Sequence, residues 1–106
     1  MNRKLLKRLR ADAFARQNGL CFYCGQPMWL DDCAAFAREY GLTLRQARRR
    51  QCTAEHLIAR KDGGRESASN IVAACRGCNQ TRHRRKLPPP PLLWRAIQSR
   101  RGHGIC

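Results

Sequence analysis

A small stapled α+β domain, with flanking helices and an inserted helical hairpin, is the fold class the sequence predicts. Three observations lead to it. The chain has 106 residues, and much of its 42% hydrophobic content is Ala and Cys. A body of that size with so few large apolar side chains seldom holds together by burial alone. Four of its seven cysteines form two close pairs, Cys21-Phe22-Tyr23-Cys24 and Cys75-Arg76-Gly77-Cys78. Two short β-type runs on either side of a Gly63-Gly64 loop precede a helical segment, which is the pattern of a hairpin packed on a helix.

The cysteine pairs supply the staple. Each CxxC turn aims two sulfurs at one point, and two such knuckles present four thiolates to one tetrahedral zinc ion. A redox dithiol would call for one CxxC beside a βαβ pattern, and paired disulfides for an oxidising compartment. Structural zinc on Cys21, Cys24, Cys75 and Cys78 is therefore the expectation. Cys33, Cys52 and Cys106 follow no ligand spacing and read as small buried or inert thiols.

Charge bounds the partners. Lys+Arg number 22 against 7 Asp+Glu, a formal net charge of +15. So cationic a chain is drawn to polyanions, and DNA is the expected partner. Every apolar stretch is interrupted by Arg or Lys before reaching spanning length, which argues against a membrane protein. MNRKLLKRLR lacks the separate apolar region of a secretory signal. A cytoplasmic protein, encoded by a bacterium or a phage, is expected.

The elements follow in order along one domain, 1–106. Residues 3–17, within a basic amphipathic segment 1–19, carry Leu5, Leu6, Leu9, Ala13 and Phe14 on one helical stripe, and Asn18-Gly19 stops the helix. A zinc-bracketed core spans 20–87. After the first knuckle, Pro27 to Leu30 reads as a short extended piece. Residues 31–50 form an insertion of two short helices: Asp31 or Asp32 caps the first, Gly41 ends it, and Thr43 with Gln46 makes a capping box for the second. The turn Ala37 to Leu42 is similar to that of a helix-turn-helix, with Arg45, Arg48, Arg49 and Arg50 on the second helix. With no third helix and few core residues, a hairpin that touches DNA backbone is the favoured reading. Residues 52–58 read as a strand, 61–64 as a loop, 70–74 as a second strand, and Asn79 to about Lys86 as a helix. Pro88 to Pro91 make an extended linker, and 92–101 a last helix within the tail 88–106.

Hydrolytic chemistry gathers on the hairpin and the helix after it. Glu55 is a hard oxygen ligand. His56 points to the opposite face of a regular strand, so both serve one site only at a strand end or bulge. Asn79 and His83 lie four apart, on one helical face, which suits two ligands of one metal. Oxygen ligands from Glu55 and Asn79 suit Mg²⁺ or Mn²⁺, and His83 widens the choice toward Ni²⁺, Co²⁺ or Zn²⁺. His83 also stands inside Arg82-His83-Arg84-Arg85, so a plain phosphate contact is the competing reading. Arg82, Arg84, Arg85 and Lys86 are candidates for gripping the DNA backbone beside the site.

In order, Cys21-Phe22-Tyr23-Cys24-Gly25, Thr53-Ala54-Glu55-His56, Gly63-Gly64, Asn70-Ile71-Val72 and Cys75-Arg76-Gly77-Cys78-Asn79 resemble the HNH endonucleases, the ββα-metal nucleases. The resemblance covers Leu20 to Arg85. It implies an α+β fold, a small zinc-stapled ββα-metal (HNH) core, and a metal-dependent endonuclease that hydrolyses DNA phosphodiesters by nicking or double-strand cutting. By the same resemblance, His56 is the general base that deprotonates water, and Asn70 ties down the loop and orients that base. Glu55 and Asn79 bind the catalytic divalent ion, and His83 falls where some members place a further metal-binding histidine. Glu55 stands where Asp is usual, one methylene longer, and Asn79 where many members have His. The alternative is a zinc-stabilised DNA-binding module with a vestigial catalytic site.

Overall fold

The computed structural model describes residues 3–101. His103 and Cys106 lie outside them. Helix α1 (Arg3–Arg16) leads into the first knuckle; α2 (Cys33–Tyr40) and α3 (Leu44–Arg48) form the insertion. Strands β1 (Cys52–His56) and β2 (Ile71–Cys75) then bracket a loop holding one 3-10 turn, Arg60–Asp62, before α4 (Arg76–His83) and α5 (Pro91–Arg101). No helix among the described residues is long and apolar enough to cross a membrane.

The two strands pair antiparallel, Cys52 opposite Cys75 and His56 opposite Ile71, so the hairpin begins and ends in register. All five residues of β2 are buried. Its outer edge is closed locally: the Gln17 side chain takes Ala73 N–H at 2.9 Å and donates to Ala73 O at 2.8 Å, and Phe22 N–H adds a bond to the same carbonyl. An edge sealed this way offers no open ladder to another chain. Both α1 and α4 pack against the hairpin.

The main core is built around sulfur. Cys21, Cys24, Cys75 and Cys78 sit among Ala13, Tyr23, Met28, Cys52, Ala73, Ala74 and Trp94. Cys52 belongs to this core, and burial pushes its thiol up to about 11. Cys33 packs with Trp29 and Leu42 against a second, smaller cluster of Phe36, Ala37 and Ala47, which belongs to the insertion. Trp29 Nε1 donates to Ala47 O at 2.7 Å within this cluster, and Cys52 N–H of the main core donates to Trp29 O at 2.9 Å. The caps lie where their residues allow. Asp32 accepts from Ala35 N–H, Gly41 is left-handed (φ 65°), and Thr43 and Gln46 complete a reciprocal capping box.

Several boundaries depart from the sequence reading, and β2 runs one residue later than expected, Ile71–Cys75. β1 ends at His56 rather than residue 58, because Ile58 N–H is taken by the Asn70 side chain and not by a strand partner. α4 starts at Arg76, inside the knuckle, since Cys75 Sγ accepts from Cys78 N–H and caps it. It also stops at His83 instead of Lys86, and Arg82 Nε holds the returning chain at Pro89 O, 2.9 Å away. Pro91 opens α5 as its first residue, where a missing N–H costs nothing.

Candidate active site

The four knuckle sulfurs are all buried and lie within 4.8 Å of one another, Cys24 and Cys75 at 4.0 Å. Tetrahedral zinc with bonds near 2.3 Å needs sulfurs about 3.8 Å apart, so the cluster could hold zinc with small adjustments. Backbone N–H groups already point at these sulfurs: Tyr23, Cys24 and Cys75 toward Cys21 Sγ, and Cys78 toward Cys75 Sγ. Hydrogen bonds from Cys24 and Cys75 pull the Cys21 thiol far below its usual value, while those same contacts push Cys24 and Cys75 upward. One negative charge in the group opposes the next, and a dication removes that conflict.

A cleft of about 880 Å³ opens at the end of β1, lined by Glu55, His56, Asn79, Arg82 and His83 among others. His56 is the last residue of β1 and still pairs with Ile71, and both it and Glu55 line the cleft. Glu55 is buried. Its Oε2 accepts from Tyr23 OH at 3.1 Å and from Arg82 Nη1 at 3.3 Å. His83 Nε2 lies 3.3 Å from Oε1 and 3.2 Å from Oε2. Burial, followed by the Glu55 carboxylate, raises the Tyr23 hydroxyl well above the ordinary phenol range, so it stays a donor.

Asn79 sits one helical turn before His83. Thr53 Oγ1 gives its proton to Ala74 O at 2.7 Å, so toward Asn79 it can only accept, and it takes Nδ2–H at 3.0 Å. That fixes the amide: Asn79 Oδ1 is left buried and without a hydrogen-bond partner among the described residues. A buried carbonyl acceptor with no donor is a costly arrangement unless something electropositive arrives. Two neighbouring ligands of an octahedral ion, at right angles and each about 2.1 Å from it, stand about 3.0 Å apart, and the Glu55–His83 separation of 3.2–3.3 Å is close to that. The Glu55 carboxylate and the orphaned Asn79 carbonyl are oxygen donors of the kind that a hard divalent cation takes.

His56 faces the loop. Its Nε2 is 2.8 Å from Glu66 Oε2, and Arg60 Nε reaches both Glu66 Oε1 at 3.0 Å and His56 Nε2 at 3.4 Å. The His56 imidazole, through its hydrogen bond, holds the Glu66 carboxyl below the usual carboxylate range. Asn70 clamps the base of this loop: Oδ1 accepts from Ile58 N–H at 2.8 Å, and Nδ2 donates to Ile58 O and Arg65 O, each at 3.0 Å. Gly64 is required by close approach, since a Cβ there would lie 1.7 Å from Ile58 O.

The basic candidates divide. Arg45, Arg48, Arg84, Arg85 and Lys86 are exposed, and Arg85 also lies over the Trp94 ring at 4.9 Å. Arg82, expected on DNA backbone, is instead turned inward and buried against Glu55 and Pro89. Its placement follows from helix phase: one residue before His83, it falls on the side of α4 that packs against Glu55. Arg49 is half-buried, its guanidinium against Gly77 in the second knuckle. Glu66, Arg60, Tyr23 and Thr53 escaped the sequence reading. The signal there was weak: Glu66 is one of two carboxylates, with Asp62, in the loop between the strands.

A family model described as HNH endonuclease matches residues 21–85. The matched segment runs from the first cysteine of the first knuckle to just past α4, and leaves α1 and α5 outside. No curated protein and no solved structure matches the chain.

Proposed function

Since the chain belongs to the HNH endonuclease family, we propose that it is a metal-dependent DNA endonuclease hydrolysing phosphodiester bonds, with His56 as general base. The observation that carries this reading is the meeting of Glu55 and His83, 3.2 Å apart, in the cleft that His56 also lines.

Glu55, His83 and the orphaned Oδ1 of Asn79 are the residues that would hold the catalytic ion, Mg²⁺ or Mn²⁺. Bound there, such an ion supplies charge neutralisation for a non-bridging phosphate oxygen and for the departing 3′ oxygen. The chain does the rest. An imidazole accepts a proton near neutral pH. With Nε2–H given to the Glu66 carboxylate, the lone pair of His56 lies on Nδ1, which takes the proton from the attacking water. Glu66 holds the ring, Arg60 holds Glu66, and Asn70 holds the loop that carries them. Exposed Arg84, Arg85 and Lys86 beside the cleft, with Arg45 and Arg48 on the insertion, bind flanking phosphates. Products carry 5′-phosphate and 3′-hydroxyl ends. Zinc on the four cysteines fixes both ends of the core.

One observation favours the alternative of a DNA-binding module with a vestigial site: Arg82 Nη1 already stands 3.3 Å from Glu55 Oε2 and neutralises part of its charge. Incubating zinc-loaded protein and supercoiled plasmid with a panel of divalent ions separates the two. A nuclease converts the plasmid to nicked or linear forms only when Mg²⁺ or Mn²⁺ is added. A module retards the plasmid and leaves it supercoiled in every metal.

A further inference from the structure

A second groove adjoins the catalytic cleft on the side of α1. It has a volume of about 650 Å³ and is lined by Arg3, Lys7 and Arg10 of α1 and by Arg76 at the start of α4. It contains no acidic residue, and Leu6 and Ala54 line both it and the catalytic cleft, so the two adjoin. We propose that this groove is the track along which the cut strand's backbone phosphates run away from the active site. The proposal rests on the nuclease reading and adds to it a wall, α1, that lies outside the family-matched segment, which begins at Cys21.

Helix geometry and charge carry the argument. Arg3, Lys7 and Arg10 follow at i, i+4 and i+7, hence on one face. That face is about 10 Å long at 1.5 Å per residue, room for roughly three phosphates of one strand. None of the four cations takes part in an ion pair among the described residues. Like charges converging without counter-charges repel one another and gather polyanion. Arg10 adds a supporting sign: its Nε has no hydrogen-bond partner among the described residues, and the residue lines the groove. α1 is a firm wall for such a track, because it packs against both strands.

The test compares two sets of three charge removals by fluorescence anisotropy. The full zinc-loaded chain is titrated onto a labelled DNA duplex over a range of NaCl without added Mg²⁺ or Mn²⁺, so that binding is read apart from cleavage. One variant carries Arg3→Ala, Lys7→Ala and Arg76→Ala, all exposed groove residues; the other carries Lys4→Ala, Arg8→Ala and Arg100→Ala, exposed residues outside the groove. The groove variant is expected to bind at least tenfold more weakly near 0.1 M salt. Its log–log salt slope should fall by about 0.9 for each phosphate no longer neutralised. The control should stay within about twofold of wild type with its slope unchanged. Equal weakening in both variants, or a groove variant within twofold of wild type, overturns the proposal. The single reversal Lys7→Glu, on an exposed side chain, repeats the comparison with minimal demand on folding. If wild type never cuts DNA yet the groove variant alone loses binding, the nuclease reading fails and the track stands.

Discussion

The Glu55 carboxylate on β1 and the His83 imidazole on α4 meet at 3.2–3.3 Å, with Arg82 Nη1 within 3.3 Å of both. As one tautomer His83 Nε2 donates its proton to that carboxylate, and as the other it leaves a lone pair beside it for a cation. Glu55→Gln keeps the shape and removes the charge that would attract a dication. Manganese titration of zinc-loaded protein should show divalent binding weakened beyond detection. Plasmid cleavage should fall by about a hundredfold or more, the order of several kcal/mol that a metal ion contributes.

Tyr23 links the first knuckle to that carboxylate. Removing its hydroxyl in Tyr23→Phe takes one donor from a buried charge, and a hydrogen bond to a charged group contributes about 1.5–3 kcal/mol. Urea unfolding at neutral pH should show destabilisation in that range. Arg82→Ala should cost more, about 3–5 kcal/mol, because it strips the cationic partner from a buried carboxylate.

Zinc is expected at one ion per chain. Cys78→Ser or a strong chelator should release it and abolish cooperative melting, since binding at such sites contributes on the order of 10–16 kcal/mol to folding. Metal released to a colorimetric chelator, followed alongside near-UV circular dichroism, checks both halves of this expectation.

Glu66 gives the loop a pH dependence. Its carboxyl is held below the usual value by His56 and, less strongly, by Arg60. A depressed carboxyl contributes stability that is complete above its unfolded value and lost as pH falls through its folded one. Amide exchange in the 57–70 loop should therefore stay slow at neutral pH and accelerate only below the ordinary carboxylate range. Glu66→Gln should remove that acid-dependent component and, by withdrawing the charge facing the imidazole, slow turnover by about tenfold.

What could be read from the sequence was local. Ligand spacing in the CxxC pairs, the capping residues Asp32, Thr43 and Gln46, and the Gly63-Gly64 loop each constrain only a few neighbouring residues, and the folded chain places them accordingly. The inward turn of Arg82 was not legible, because in the sequence it is one more Arg in a basic run. Its partner Glu55 is 27 residues away. Glu66 was missed for the same reason, since its relation to His56 depends on how the loop folds back. The early start of α4 lies between these cases: Cys75 serves as both knuckle sulfur and helix cap, a double role that spacing alone does not reveal.

Cleavage of an end-labelled duplex by the zinc-loaded chain, with His56→Ala in parallel, is the measurement that bears most directly on the chemistry. With Mg²⁺ or Mn²⁺ the wild-type protein should leave 5′-phosphate and 3′-hydroxyl ends. The variant should bind the duplex as tightly and cut it about a hundredfold to ten-thousandfold more slowly, the span that a positioned base contributes. Undiminished cutting by His56→Ala would contradict the assignment of that imidazole as the base.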